Sequence, residues 1–176
     1  PIVLSRIGNP PVYSRNLTAL LMRKRAGEFP QLPAMKENIV EKDEVITCGK
    51  IRIKFWGVTH TIPDSMGVII ETKHGWIVNP GDYKLDQVDG IVSPNEEKEY
   101  SIFDKAKTLL LMTDSTNIEN EGFALPEIKV HQGLENLIRR NSGRLIIAAF
   151  ASHISRLVKV IQIAEMLGKK VALNGR

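Results

Sequence analysis

Three short polar clusters, each following an apolar run, carry the side chains best suited to chemistry. In Gly57-Val58-Thr59-His60-Thr61-Ile62-Pro63-Asp64-Ser65, His60 sits on a loop stiffened by Pro63. A neutral imidazole held this way can ligate zinc or act as a general base, and it can equally be a hydrogen-bonded loop histidine. In Asn79-Pro80-Gly81-Asp82-Tyr83-Lys84, Gly81 lets backbone approach a ligand closely. The Asp82 carboxylate could bridge two divalent metals ~3.5–4 Å apart, or bond its own backbone in a turn. Asp114, in Asp114-Ser115-Thr116-Asn117, could orient a metal-bound or catalytic histidine, or start a turn. A fourth stretch, Phe150-Ala151-Ser152-His153, leads into a helix. Ser152 fits an N-cap there. The free N–H groups of the helix start, with Ser152, His153 and Arg156, could also bind phosphate.

The elements that must hold these clusters follow from periodicity. Pro1–Ser5 reads as a short strand broken by Asn9-Pro10-Pro11, and Arg15–Arg25 as a helix with Leu17, Leu20 and Leu21 on one face. Two prolines make 28–33 a linker. The alternation Ile51-Arg52-Ile53-Lys54-Phe55 predicts a half-buried strand. Strands over Met66–Thr72 and Trp76–Asn79, joined by a turn at Lys73-His74-Gly75, extend it into an antiparallel meander. Beyond Gly90 the pattern becomes strand, helix, strand. Thr108–Thr113, Arg144–Ala151 and Lys169–Leu173 read as apolar strands, and Pro126–Asn141 and His153–Leu167 as helices, the latter with Ile154, Leu157, Val158 and Ile161 on one face. Continuous apolar strands alternating with helices predict a parallel sheet covered on both sides. A domain boundary is expected near 123–127.

Composition narrows the class. The chain is 43% hydrophobic and 25% charged, as in a globular protein rather than a disordered one or a coiled coil. No apolar run approaches the ~20 residues that span a bilayer, and no signal peptide is legible. The lone Cys48 excludes an internal disulfide or thiolate metal cage, fits a reducing cytoplasm, and reads as a small buried or turn residue. Charge is uneven. Residues 1–127 carry 15 Lys/Arg against 18 Asp/Glu, whereas 128–176 carry 9 against 2. A basic last quarter suits an anionic partner, typically nucleic acid, or a solvated surface.

The order of the motifs is more specific than any one of them. Thr59-His60-Thr61-Ile62-Pro63-Asp64-Ser65, Gly81-Asp82-Tyr83-Lys84, Asp114-Ser115-Thr116-Asn117 and Phe150-Ala151-Ser152-His153, in this sequence, resemble the successive signatures of the ribonuclease J family. That family belongs to the β-CASP group of the metallo-β-lactamase superfamily. The resemblance implies an α/β chain: part of a metallo-β-lactamase αββα fold over 1–125, then the beginning of a parallel-sheet β-CASP domain over 126–176. It implies His60 as a ligand to one zinc, Asp82 as the carboxylate shared by two, Asp114 as a catalytic-site acid, and Ser152, His153 and Arg156 along the RNA phosphate path. The whole enzyme is expected to be a cytoplasmic RNA phosphodiesterase, endonucleolytic and 5′-to-3′ exonucleolytic, without a membrane anchor and assembled as a homodimer or larger homo-oligomer.

The family's His-x-His-x-Asp-His motif and its later histidine motifs are missing from these residues. The chain thus reads as an internal piece, expected to be inactive alone. A hydrolase of small esters or lactams on the same fold, and a non-catalytic RNA-binding remnant, are the competing expectations.

Overall fold

The strongest local pattern in the sequence builds the centre of the molecule. The computed structural model describes residues 1–175. Chain order runs α1 (Ile2–Arg6), β1 (Pro11–Ser14), α2 (Asn16–Ala26), β2 (Lys36–Ile39), β3 (Val45–Cys48), β4 (Ile51–Gly57), β5 (Met66–Thr72) and β6 (Gly75–Asn79). It continues with β7 (Gln87–Val88), β8 (Ile91–Val92), α3 (Pro94–Tyr100), a 3-10 turn (Ser101–Lys105), β9 (Thr108–Leu111), α4 (Glu127–Arg140) and α5 (Ile154–Met166). The main sheet has the order β3-β4-β5-β6-β9. Its first four strands form the expected antiparallel meander, and β9 joins β6 in parallel.

Alternation along β4 ends in two large buried rings, Phe55 and Trp56. Trp56 packs with Val58, Ile69 and Val78, and with the half-buried Trp76, Tyr83, Ile102 and Phe103. Its indole meets the Phe103 ring edge to face, with centroids 5.3 Å apart, the favoured geometry for aromatic pairs. The register sets Gly67 opposite Trp56. A Cβ on Gly67 would lie 2.3 Å from the indole, so that position needs glycine for space. In the β3–β4 turn Gly49 takes φ +63°, and Cys48 beside it is exposed rather than buried.

Several sequence expectations are corrected. Pro1–Ser5 lies in a short helix instead of a strand, and the strand begins at Pro11 itself, a position proline tolerates because the first residue of a strand can spare its N–H. β1 pairs in parallel with β2 around α2, an arrangement the linker reading did not contain. On α2 the buried residue is Ala19, while Leu20 is exposed. β9 is placed as expected, but its Leu109, Leu110 and Leu111 are exposed.

The larger correction concerns residues 144–151 and 169–173. Neither segment is a strand, and Ile146, Phe150 and Leu173 are exposed. A parallel strand takes its hydrogen bonds and covering layers from residues distant in sequence, and no strand pairs with either segment among the described residues. Their helices do form. α4 and α5 pack on each other and bury Ile138, Ile163 and Ala164, whereas Val158 of the expected face is exposed. No helix among the described residues is long and apolar enough to cross a membrane.

Candidate functional site

The loop after β4 that carries His60 is fixed by its own backbone and by a distant helix. Val58 N–H donates to Ser65 O (3.2 Å) and Ser65 N–H to Ile62 O (3.0 Å). The Asp64 carboxylate then accepts from Leu17 N–H (2.7 Å), Thr18 N–H (3.3 Å) and Thr18 Oγ1 (2.8 Å). It therefore caps α2, satisfying N–H groups that a helix start leaves without partners. Arg15, the residue at the cap position, provides no side-chain cap. His60 itself is half-buried, with Nδ1 3.4 Å from Thr61 Oγ1.

The Asp82 loop follows β6. Asn79, not Asp82, makes the turn, its Oδ1 accepting from Gly81 N–H at 2.8 Å, while Gly81 takes φ +66°. Asp82 is left exposed. Two contacts bind this loop to its neighbours. Lys84 N–H donates to Thr59 O, beside His60, at 2.7 Å. Thr113 Oγ1, beside Asp114, donates to Tyr83 Oη at 3.0 Å. Asp82 and Asp114 line one shallow hollow of about 330 Å3 with Asn79, Gly81, Met112 and Thr113.

Asp114 does start a turn: Oδ1 accepts from Thr116 N–H (2.8 Å) and Thr116 Oγ1 (2.6 Å). These bonds, chiefly the hydroxyl one, hold its carboxyl below the ordinary carboxylate value, and His60 contributes to the same effect. His60 is thus within electrostatic range of Asp114.

The N-terminal end of α5 differs from expectation in one respect. His153, not Ser152, occupies the cap position, and no side chain caps the helix. Ser152 contributes its carbonyl, which accepts from Ile154 N–H at 2.9 Å. Partial burial, reinforced by Arg156 and more weakly by His60 and Lys84, pushes the His153 imidazole below its usual value against the opposing field of Glu127. Arg156 grips the Glu127 carboxylate through Nε (3.1 Å) and NH2 (2.9 and 3.1 Å). Lys84 Nζ reaches the same carboxylate at 3.3 Å. Burial alone would raise the Glu127 carboxyl, but these two cations outweigh it and lower it.

The structure therefore brings His60, Asp82 and Asp114 to one end of the main sheet. As metal donors, His60 and Asp82 are of suitable types. Among the described residues, however, no three His, Cys, Asp or Glu side chains converge on a point that could hold a metal ion. The donors among the described residues do not by themselves complete a metal site.

Comparison with known proteins decides the relationship. Residues 142–176 match the family model described as Ribonuclease J, beta-CASP domain. Over its full length the chain is 36% identical to Ribonuclease J of Thermus thermophilus, covering 31% of that protein. The chain is similar to ribonuclease J along its whole length. To Ribonuclease J2 of Bacillus subtilis (strain 168) it is 32% identical over 94% of its length, covering 30% of that protein. It thus spans under a third of these ribonuclease J relatives. A crystal structure of a protein of unknown function from Enterococcus faecalis V583 superimposes with a TM-score of 0.69, covering 94% of this chain and 47% of that one. At 19% identity this shows a shared fold alone. The ribonuclease J resemblance carried by the four motifs is borne out.

Three residues tying the site together had no assigned role in the sequence. Asp64 and Lys84 lie inside the motifs, but nothing in their spacing announced a helix cap or a cation bridging two loops. Glu127 carried no signal beyond being an acid in the first turn of a helix, because its partner Arg156 is 29 residues away.

Proposed function

We propose that this chain contributes part of the active site of a zinc-dependent ribonuclease, a hydrolase of RNA phosphodiester bonds with endonucleolytic and 5′-to-3′ exonucleolytic modes. His60 would ligate one zinc and Asp82 would stand between two, with further ligands from outside these 176 residues. Such a metal pair supplies an activated water and offsets charge on the phosphate. Asp114 supports the site beside Asp82, while Ser152, His153 and Arg156 meet the RNA backbone. The observation that carries the reading is the tie between the His60 and Asp82 loops, Lys84 N–H to Thr59 O at 2.7 Å, with Asp114 in the same hollow as Asp82. The excess of Lys and Arg after residue 127 supports an anionic substrate. Residues 1–125 would belong to the metallo-β-lactamase part and 126–176 to the β-CASP part.

The test uses a protein extended to the length of the relatives. RNA cleavage in the presence of zinc should be lost in Asp82→Ala, and retention of full cleavage would contradict the proposal. RNA binding without any cleavage by the extended wild-type protein would favour a non-catalytic RNA-binding role instead.

A further inference from the structure

We infer that Glu127 is a positioning residue that couples the Asp82 loop to the His153 end of α5. Resting on the reading of these groups as one site, the inference adds what holds its halves together. Two elements far apart in sequence converge on this one carboxylate. From the loop, Lys84 reaches Glu127 Oε2 at 3.3 Å and Leu125 O at 2.9 Å through Nζ. The same residue's N–H holds Thr59 O, so Lys84 links the His60 loop, the Asp82 loop and the start of α4. From α5, Arg156 takes both Glu127 oxygens, Oε1 at 2.9 Å and Oε2 at 3.1 Å, through NH2. Arg156 stands one turn beyond His153, whose carbonyl receives Leu157 N–H at 3.0 Å.

The chemistry fits a clamp better than an incidental surface pair. Lone exposed ion pairs contribute little, since water screens them and two long side chains must be ordered. Here side-chain exposures are 31% for Glu127, 30% for Arg156 and 31% for Lys84. Bidentate contact adds direction as well as strength. His131 Nε2 lies 3.5 Å from Glu127 Oε1 and adds a further cation only when protonated, and His153 also lies in the field of this carboxylate. Arg156 accordingly brings less net charge to a phosphate than its sequence position suggests, because much of its guanidinium is already engaged.

Amide hydrogen exchange in the 176-residue chain tests this without reference to RNA cleavage. In Glu127→Gln, exchange at the Lys84 and Leu157 amides should both accelerate by about tenfold, the scale of a lost charged hydrogen bond. Amides of the β4–β5–β6 ladder should stay at wild-type rates, which separates loss of positioning from loss of the fold. If Glu127→Gln also loosens the ladder, Arg156→Lys decides. It keeps the charge and removes the fork, and should accelerate Leu157 with the ladder unchanged. Wild-type exchange at either Lys84 or Leu157 in a folded Glu127→Gln chain, or at Leu157 in Arg156→Lys, overturns the inference. Because the reading is structural, failure of the Asp82→Ala cleavage test would leave this result standing, and the converse also holds.

Discussion

The meander β3–β6 and the runs at 144–151 and 169–173 are alike apolar in sequence, yet among the described residues only the first forms paired strands around a core. In the meander each strand pairs with its neighbour in sequence, across a two-residue turn or the 58–65 loop, and Trp56, Ile69 and Val78 are almost wholly buried. After α4 the apolar runs lie unpaired, with Ile146 88% and Phe150 79% exposed. Apolar content therefore does not decide whether a strand forms. What decides is whether hydrogen-bond partners and a covering layer lie within reach. Antiparallel hairpins bring their partners locally, whereas parallel strands depend on distant crossovers.

That contrast can be broken or sharpened by substitution, with stability of the 176-residue chain read from urea unfolding. Trp56→Ala, which removes the centre of the meander core, should cost about 3–5 kcal/mol. Gly67→Ala, which drives a methyl into the Trp56 indole, should cost about 1–3 kcal/mol. Asp64→Ala removes the remote cap of α2 and should cost about 1 kcal/mol, with faster exchange at the Leu17 and Thr18 amides. At the other extreme, Phe150→Ser should change stability by less than about 0.5 kcal/mol. A large loss there would mean that residues 142–173 are held as firmly as the meander.

Between these extremes lies pH dependence, which also separates the two regions. The Glu127 carboxyl is lowered in the folded chain. Its contribution is complete above the ordinary value of 4.5 and is lost as pH falls through the lower folded value. Glu127→Gln should remove that part of the acid-side loss. Tyr100, beside the meander core, is raised to about 12, first by burial and then by Glu96 and Tyr83. Its contribution is complete below 10 and is lost as pH rises towards 12. Phenolate absorbance should show this late step, and Tyr100→Phe should abolish it.

Legibility followed the same division. The alternation at Ile51–Phe55, the Lys73-His74-Gly75 turn and the helices around α2, α4 and α5 were readable because each is set by neighbours in sequence. β1–β2 was not, since its pairing spans a helix. Runs such as 144–151 looked like strands because apolarity alone does not reveal whether a partner exists. Within the site, His60, Asp82 and Asp114 stood out by residue type and by their place after apolar runs. The groups that hold them, Asp64 on α2 and Lys84 with Glu127 and Arg156, did not, because an ion pair or a remote cap has no period in the sequence. The capping role expected of Ser152 failed because the chain enters α5 one residue later.

His60 and Asp82 are proposed to belong to a nuclease centre that this chain supplies only in part. RNA cleavage in the presence of zinc, measured side by side for the 176-residue chain and for a protein extended to the relatives' length, tests it most directly, each with and without Asp82→Ala. Cleavage is expected from the extended protein alone, and its loss in Asp82→Ala. Cleavage by the 176-residue chain that Asp82→Ala abolishes would contradict it, as would cleavage by the extended protein that survives that substitution.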